Sequence, residues 1–158
     1  MTPYRVGIVG VGKLGSFHCN ALANMPEAKL VGVYDTDEAQ CTTVAEKFNC
    51  TACSSEDELI RSADVIGVAV PTSTHLAAVR NALQHGRPVF VEKPIAGTIA
   101  EAQEIVDLAA AKKIPVQVGH IERFNPAIRA LDSFELKPLF IESHRLAPFD
   151  PRGTDVAV

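Results

Sequence analysis

Arg5-Val-Gly-Ile-Val-Gly10-Val-Gly12-Lys-Leu-Gly15 decides the fold of this chain, because an apolar run of β type passes straight into a GxGxxG turn. Glycines in this pattern also punctuate ordinary turns, so the flanks carry the argument. Val6, Ile8 and Val9 are strand formers, and Leu14-Gly-Ser-Phe-His-Cys-Asn-Ala-Leu22 opens an apolar pattern of helical period. The glycines therefore stand between a strand and a helix, where a dinucleotide pyrophosphate sits in a doubly wound fold. Gly10 permits the tight turn, Gly12 lets the backbone approach the phosphates, and Gly15 allows the helix to pack closely on the strand. Lys13 and Leu14, between the last two glycines, complete the contacting set. The helix N-terminus behind them offers N–H groups and a partial positive charge to an anion.

The next element is an independent check. Lys29-Leu-Val-Gly-Val-Tyr-Asp35 reads as a second strand ending in a carboxylate twenty positions after Gly15. Asp35 there accepts hydrogen bonds from adenosine ribose hydroxyls and repels a 2′-phosphate, which favours NAD over NADP. The competing reading makes Asp35 a cap for the helix 37–48, although Thr36 and Asp37 are equally suited to that task.

Strand and helix signals then keep alternating, the pattern of a parallel sheet in an α/β fold. Ser55-Glu-Asp-Glu58 looks like a capping box opening a short helix to about Arg61. Val65–Val70 is a nearly continuous apolar run, as a strand buried on both faces requires. A helix over 74–84 stops at His85-Gly86, with Gly86 as its C-terminal cap. Pro88–Val91 is the next strand. Thr98-Ile-Ala-Glu101 is a second capping box, starting an Ala-rich helix that ends near Lys112-Lys113. Val116–Gly119 closes the set as the sixth strand. After it the rhythm breaks: a short helix is expected from Phe124-Asn-Pro126 to about Leu131, and Leu139–Leu146 reads as a strand with no place in the first sheet. The expected division is a Rossmann domain over 1–120 and, over 121–158, a linker helix and first strand of a second α/β domain. The sequence stops at Asp155-Val-Ala-Val158, in an apolar run that no turn or charge closes, so it reads as a piece of a longer chain.

At 158 residues and 47% hydrophobic, the chain has the apolar content for one full core. A net charge of −4, spread without basic runs, argues against binding a nucleic-acid backbone. Its N-terminus lacks the pattern of a signal peptide and its longest apolar stretch is too short to span a bilayer, so the chain reads as cytoplasmic with no membrane partner. The four cysteines, Cys19, Cys41, Cys50 and Cys53, include one CxxC without the second pair or histidines that a zinc site needs. They read as free structural thiols, and no metal is expected.

Ligands of an open parallel sheet bind beyond the carboxyl ends of its strands, which directs attention to two loops. In Val70-Pro-Thr-Ser-Thr-His75, Pro71 fixes the chain direction while Thr72, Ser73 and His75 are placed to face the cofactor's ribose and nicotinamide. An ordinary capped helix start, with Ser73 or Thr74 as the cap, fits the same residues. In Val91-Glu92-Lys93-Pro94, an acid, a base and a rigid proline stand at the mouth of the same cleft, and charge at a buried strand end is costly unless it serves.

GxGxxG, the strand-ending Asp35, a Pro71-x-x-x-His75 loop, Glu92-Lys93-Pro94 and Val118-Gly-His-Ile-Glu-Arg-Phe-Asn-Pro126, in that order, resemble the glucose-fructose oxidoreductase and inositol dehydrogenase family, Gfo/Idh/MocA. Together with Pro151-Arg-Gly-Thr-Asp155 they most resemble its bacterial UDP-N-acetylglucosamine 3-dehydrogenase-like branch. The sequence departs from the family's commoner Thr-Pro-Asn-x-x-His loop in having Val70, Pro71 and Thr72, of which Thr72 keeps a hydrogen-bonding hydroxyl. The resemblance implies an NAD-dependent dehydrogenase acting on a sugar or nucleotide sugar, with a second domain that carries much of the substrate site and makes the whole protein a homo-oligomer. It implies Lys93 as the base for the substrate hydroxyl, Glu92 as a residue orienting Lys93 or its loop, and a cis peptide before Pro94. A free lysine titrates near ~10.4, so a base at this place needs burial or a cationic ring beside it. Substrate contact and hinge packing both stay open for His120, Arg123 and Asn125. The alternative reading is non-enzymatic, a regulatory Rossmann module that senses a dinucleotide and has no use for Lys93.

Overall fold

Six strands, β1 (Tyr4–Val9), β2 (Ala28–Tyr34), β3 (Thr51–Ala52), β4 (Val65–Val68), β5 (Val89–Val91) and β6 (Val116–Val118), pair in the order β3-β2-β1-β4-β5-β6. Every pairing is parallel. The connections carry helices α1 (Lys13–Ala23), α2 (Glu38–Phe48), α3 (Glu56–Ser62), α4 (His75–Gln84) and α5 (Ile99–Lys112). This is the doubly wound Rossmann order, with its switch point at β1, whose neighbours β2 and β4 lead the chain in opposite directions across the sheet. The computed structural model describes residues 2–144 and 146, and it divides into a unit ending at Gly119 and a second beginning at His120.

Strand alternation separates the core into two clusters. Val6 and Ile8 of β1 join Val33, Cys19 of α1 and Cys41, Val44 and Ala45 of α2. Gly7 points the other way, where the Leu59 side chain of α3 would crowd a Cβ at 2.8 Å. Leu59 and Ile60 there join Val68, Val91, residues 78, 79, 82 and 83 of α4, and Ile105 of α5.

Helix ends follow their sequence signals. Asp37 caps α2 by accepting from Gln40 N, and Thr98 and Glu101 make the full reciprocal box at α5. At α4, Gly86 takes φ +75° while its N–H donates to Leu83 O and that of Arg87 to Ala82 O, a Schellman closure that favours glycine. Ser55 caps α3, but the Glu58 carboxylate reaches Ser54 N and Oγ at 2.8 and 2.7 Å instead of closing the expected box on Ser55.

Two further sequence expectations need correction. The fourth strand ends at Val68, not Val70, since the chain must leave the sheet to enter the Pro71 turn. No strand forms among the described residues of Leu139–Leu146, where Leu139, Phe140 and Ile141 are exposed. A strand exists by pairing, and the described residues of this unit supply no edge for it. The third strand, Thr51–Ala52, is only two residues long, and hydropathy did not delineate it.

The second unit begins with 3₁₀ turns flanking a four-residue helix, α6 (Pro126–Arg129), which Asn125 caps by accepting from Ala127 N at 2.9 Å. Arg145 and residues 147–158 lie outside the described residues, so the structure does not bear on Pro151–Asp155.

All four cysteines are free thiols. Burial pushes Cys19 up to about 12 and Cys50 and Cys53 up to about 11, and it also raises Cys41, so the reactive thiolate is scarce at neutral pH. Among the described residues no cluster of three or more His, Cys, Asp and Glu is arranged to hold a metal ion, and no helix is long and apolar enough to cross a membrane.

At the opposite edge of the sheet from the strand C-termini, Asp64 accepts from Arg5 Nε at 3.1 Å and Arg5 Nη2 at 2.6 Å, and from the Arg5 backbone N–H at 3.0 Å. Hydrogen bonds from Arg5 hold the Asp64 carboxyl down at about 2. Its contribution is therefore complete above the ordinary carboxylate value of ~3.9 and is lost as pH falls toward 2. Thermal unfolding between pH 4.5 and 2 checks this: Asp64→Asn should flatten that part of the profile, while both proteins keep the same shape of profile above pH 5. The pair is partly exposed, so the absolute effect is small.

Candidate functional site

Five strands end on one line. Tyr34, Val9, Val68, Val91 and Val118 are successive register partners across β2, β1, β4, β5 and β6. The next residue of each strand is accordingly Asp35, Gly10, Ala69, Glu92 and Gly119, and the bonds from Gly10 N to Tyr34 O, Ala69 N to Val9 O, Glu92 N to Val68 O and Gly119 N to Val91 O continue the ladder through that row. Four residues with special backbone or side-chain chemistry thus lie along one sheet edge, spanning the switch point where ligands bind in such folds.

The glycine loop is shaped by close contacts. Gly10 has φ +84°, and a Cβ on it would lie 2.8 Å from the Ala69 backbone. A Cβ on Gly15 would fall 1.9 Å from the Gly10 carbonyl oxygen, so α1 packs on this turn at a distance that excludes any side chain. Gly12 is the opposite case, because a Cβ there would meet no heavy atom within 4 Å. Open space over a backbone without a side chain is the cradle a phosphate requires. No side chain caps Gly12 and the first turn of α1 holds no acid, which leaves the positive end of that helix open to an outside anion. Lys13 and Leu14 project beside it and are exposed.

Asp35 is tied to this loop rather than to α2. Its Oδ2 accepts from Val11 N at 2.7 Å and its Oδ1 from Asp37 N at 3.0 Å, while Asp37 does the helix capping. The other face of the same residue is also fixed: the Val11 carbonyl accepts from Gln40 Nε2 at 2.9 Å and Ser16 Oγ at 3.1 Å. A carboxylate oxygen takes more than one donor, so Asp35 retains acceptor capacity for ribose hydroxyls. Residues 35–40 hold three carboxylates and no cation.

After β4, the hydroxyl of Thr74 turns back to donate to Pro71 O at 2.8 Å and the Thr74 N–H donates to the same oxygen at 2.9 Å. Neither Ser73 nor Thr74 caps α4 through its side chain; the chain enters it by a 3₁₀ turn over Thr72–Thr74. Thr72 is buried, and Pro71 and Ser73 are exposed. His75 is 1% exposed, with Nδ1 2.9 Å from the Pro94 carbonyl and Nε2 3.0 Å from the Val70 carbonyl, so it staples the two loops together.

After β5, Glu92 is a buried carboxylate, 8% exposed, with two partners. His18 Nε2 donates to Oε1 at 2.8 Å, and the Lys93 N–H donates to Oε2 at 3.1 Å. Room for the carboxylate comes from Gly119, where a Cβ would lie 3.2 Å from Glu92 Oε2. Lys93 is exposed, and the Lys93–Pro94 peptide is cis.

Residues 4–120 match the family described as an oxidoreductase family with an NAD-binding Rossmann fold, Gfo/Idh/MocA. This chain belongs to that family. It is 36% identical to UDP-N-acetylglucosamine 3-dehydrogenase of Acidithiobacillus ferrooxidans over 100% of this chain and 50% of that protein. The solved structure of the same enzyme superposes with a TM-score of 0.91 over 99% of this chain and 52% of its own. The scyllo-inositol 2-dehydrogenase (NAD(+)) of Bacillus subtilis is 30% identical over 86% of this chain and 42% of its own length. A crystal structure of GenD2 from gentamicin A biosynthesis, in complex with NAD, is 26% identical with a TM-score of 0.78, covering 84% of this chain and 39% of its own. The chain thus spans about half the length or less of these relatives.

Three parts of this Gfo/Idh/MocA site escaped sequence reasoning. Gln40 and Ser16 are ordinary helix residues until the fold brings them to the Val11 carbonyl. His18 left a signal, since the helical period puts it on the same face as Gly15 and Cys19, the buried residues of α1.

Gly12 and Gly15 separate ligand space from packing space. Gly15→Ala should destabilise the fold by more than about 2 kcal/mol, because backbone must move. Gly12→Ala should leave the unfolding midpoint within a few degrees and weaken dinucleotide binding at least about tenfold. Paired denaturant titrations and calorimetry check both.

Proposed function

We propose that this chain is the cofactor-binding half of an NAD-dependent dehydrogenase that oxidises a hydroxyl of a sugar, specifically of a nucleotide sugar, to a ketone. The observation that carries the reading is the row of Asp35, Gly10 and Glu92-Lys93 along one sheet edge, which supports assigning them as ribose acceptor, phosphate cradle and base. When bound, NAD supplies a hydride acceptor at nicotinamide C4. Gly10, Gly12, Lys13, Leu14 and Gly15 receive the pyrophosphate, and Asp35 receives the adenosine ribose. Pro71, Thr72 and His75 bound the nicotinamide end from the β4 side, with Glu92 and Lys93 from the β5 side. Lys93 takes the proton from the substrate hydroxyl as the carbinol hydrogen leaves as hydride. Asp35, Asp37 and Glu38 at the ribose end favour NAD, since a 2′-phosphate would face three carboxylates without a cation.

The nucleotide-sugar assignment rests on the match to the Acidithiobacillus enzyme, which runs the full length of this chain. Residues beyond 120 are assigned to the opening of a second α/β domain that completes the substrate site and assembles the full-length protein as a homo-oligomer. The chain alone is assigned no turnover.

Calorimetry on the 158-residue chain tests the cofactor half of this reading. NAD should bind at least about tenfold more tightly than NADP, and Asp35→Asn should bring the ratio close to one. Absence of binding by either dinucleotide would overturn the assignment of Gly10–Gly15. In the full-length protein, Lys93→Ala should abolish oxidation of a panel of UDP-sugars while NAD affinity stays within about twofold; normal turnover would remove Lys93 as the base, and a non-enzymatic sensing role would predict no turnover in either protein.

A further inference from the structure

The Glu92–Pro94 segment that carries Lys93 is held from two sides by histidines on two different helices, one at Glu92 and one at Pro94. On one side, His18 of α1 reaches Glu92 at 2.8 Å, and the other oxygen of that carboxylate accepts the Lys93 N–H at 3.1 Å. On the other side, His75 at the start of α4 lies 2.9 Å from the Pro94 carbonyl. The His18 ring is itself held, edge-on to Phe90 with centroids 5.2 Å apart and planes at 73°. Among the described residues His18 is the side chain that donates to Glu92, and that bond helps make a buried carboxylate tenable at this strand end.

We propose that His18 is a positioning residue for Lys93, acting through Glu92. His18 fixes the carboxylate, the carboxylate fixes the Lys93 N–H, and the fixed backbone sets the origin from which the exposed lysine side chain reaches into the cleft. Replacing His18 frees Glu92 to turn toward water and releases one side of residue 93, while His75 keeps the Pro94 side in place. The role in catalysis rests on the reading of Lys93 as the base; the mechanical link does not, and the two are measured separately.

The mechanical link is read by NMR amide exchange at Lys93 in the 158-residue chain. His18→Leu should speed exchange at Lys93 at least about tenfold relative to the amides of β1, and His18→Gln, which restores a donor to Glu92, should recover most of the protection. His18→Asn, polar but one bond shorter, leaves the gap open and serves if His18→Leu does not fold. The catalytic consequence is read in the full-length enzyme, where His18→Leu or His18→Asn should lower kcat about tenfold to a hundredfold with KM for NAD within about twofold, as expected for a misplaced reacting group. Again His18→Gln should recover most of the loss. Unchanged exchange at Lys93, or a His18→Gln variant as impaired as His18→Leu, overturns the proposal. Normal turnover by Lys93→Ala with fast exchange in His18→Leu would instead leave the brace standing and remove the base.

Discussion

The constraint on which the rest of this structure depends is the common ending of five parallel strands. Parallel pairing fixes the height of each strand end relative to its neighbours, and although β1 and β2 shift register between Val6 and Gly7, Val9 still stands opposite Tyr34, so the residues after Tyr34, Val9, Val68 and Val91 emerge side by side. A shift of a single residue in any of these strands would turn its site residue to the opposite face of the sheet. Buried alternation prevents that shift. Val6 and Ile8 serve one apolar cluster, while Gly7 makes room for Leu59 in the other, and exchanging the two faces would drive valine and isoleucine into the space Leu59 occupies.

Much of this arrangement was legible in the sequence because local and global demands coincide. A glycine turn between a β-branched run and an amphipathic helix has few physical solutions, and Asp35 stands where a second parallel strand must end. The Thr98 box and the Gly86 closure were readable for the same reason, since each is a contact within a few residues. What stayed hidden is nonlocal. Val11 presents an anonymous apolar side chain, yet its peptide group is gripped by Asp35 on the N–H and by Gln40 and Ser16 on the carbonyl. The strand expected over 139–146 shows the converse failure: hydropathy reads the tendency to pair, but pairing needs an edge, which no described residue of that unit provides.

The Asp35 carboxylate also revises a choice that the sequence left open. Ribose acceptor and helix cap were competing roles as long as the residue was considered with α2 alone. The fold gives the capping to Asp37 and joins Asp35 to the glycine loop, so a single carboxylate links the phosphate cradle to the place assigned to the ribose. The places assigned to adenosine and pyrophosphate are then mechanically linked, because moving Asp35 moves the Val11 peptide between Gly10 and Gly12.

Glu92 makes a parallel link on the other side of β1 in the same row. A buried carboxylate costs several kcal/mol unless its oxygens are occupied, and here one is satisfied by a helix side chain and the other by the next peptide N–H. A neutral residue would close the strand end at lower energetic risk, but it would leave the segment after β5 free to choose its path. Burying the charge makes any departure of the Lys93 backbone expensive, because the departure strands Glu92 beneath Gly119 with a donor lost. Lys93 itself is exposed, so the Glu92 link fixes its main chain and leaves the side chain at the surface of the chain. The two carboxylates therefore use one device, a strand-end carboxylate accepting a neighbouring peptide N–H, with Asp35 fixing the loop assigned to phosphate and Glu92 fixing the loop assigned to the chemistry.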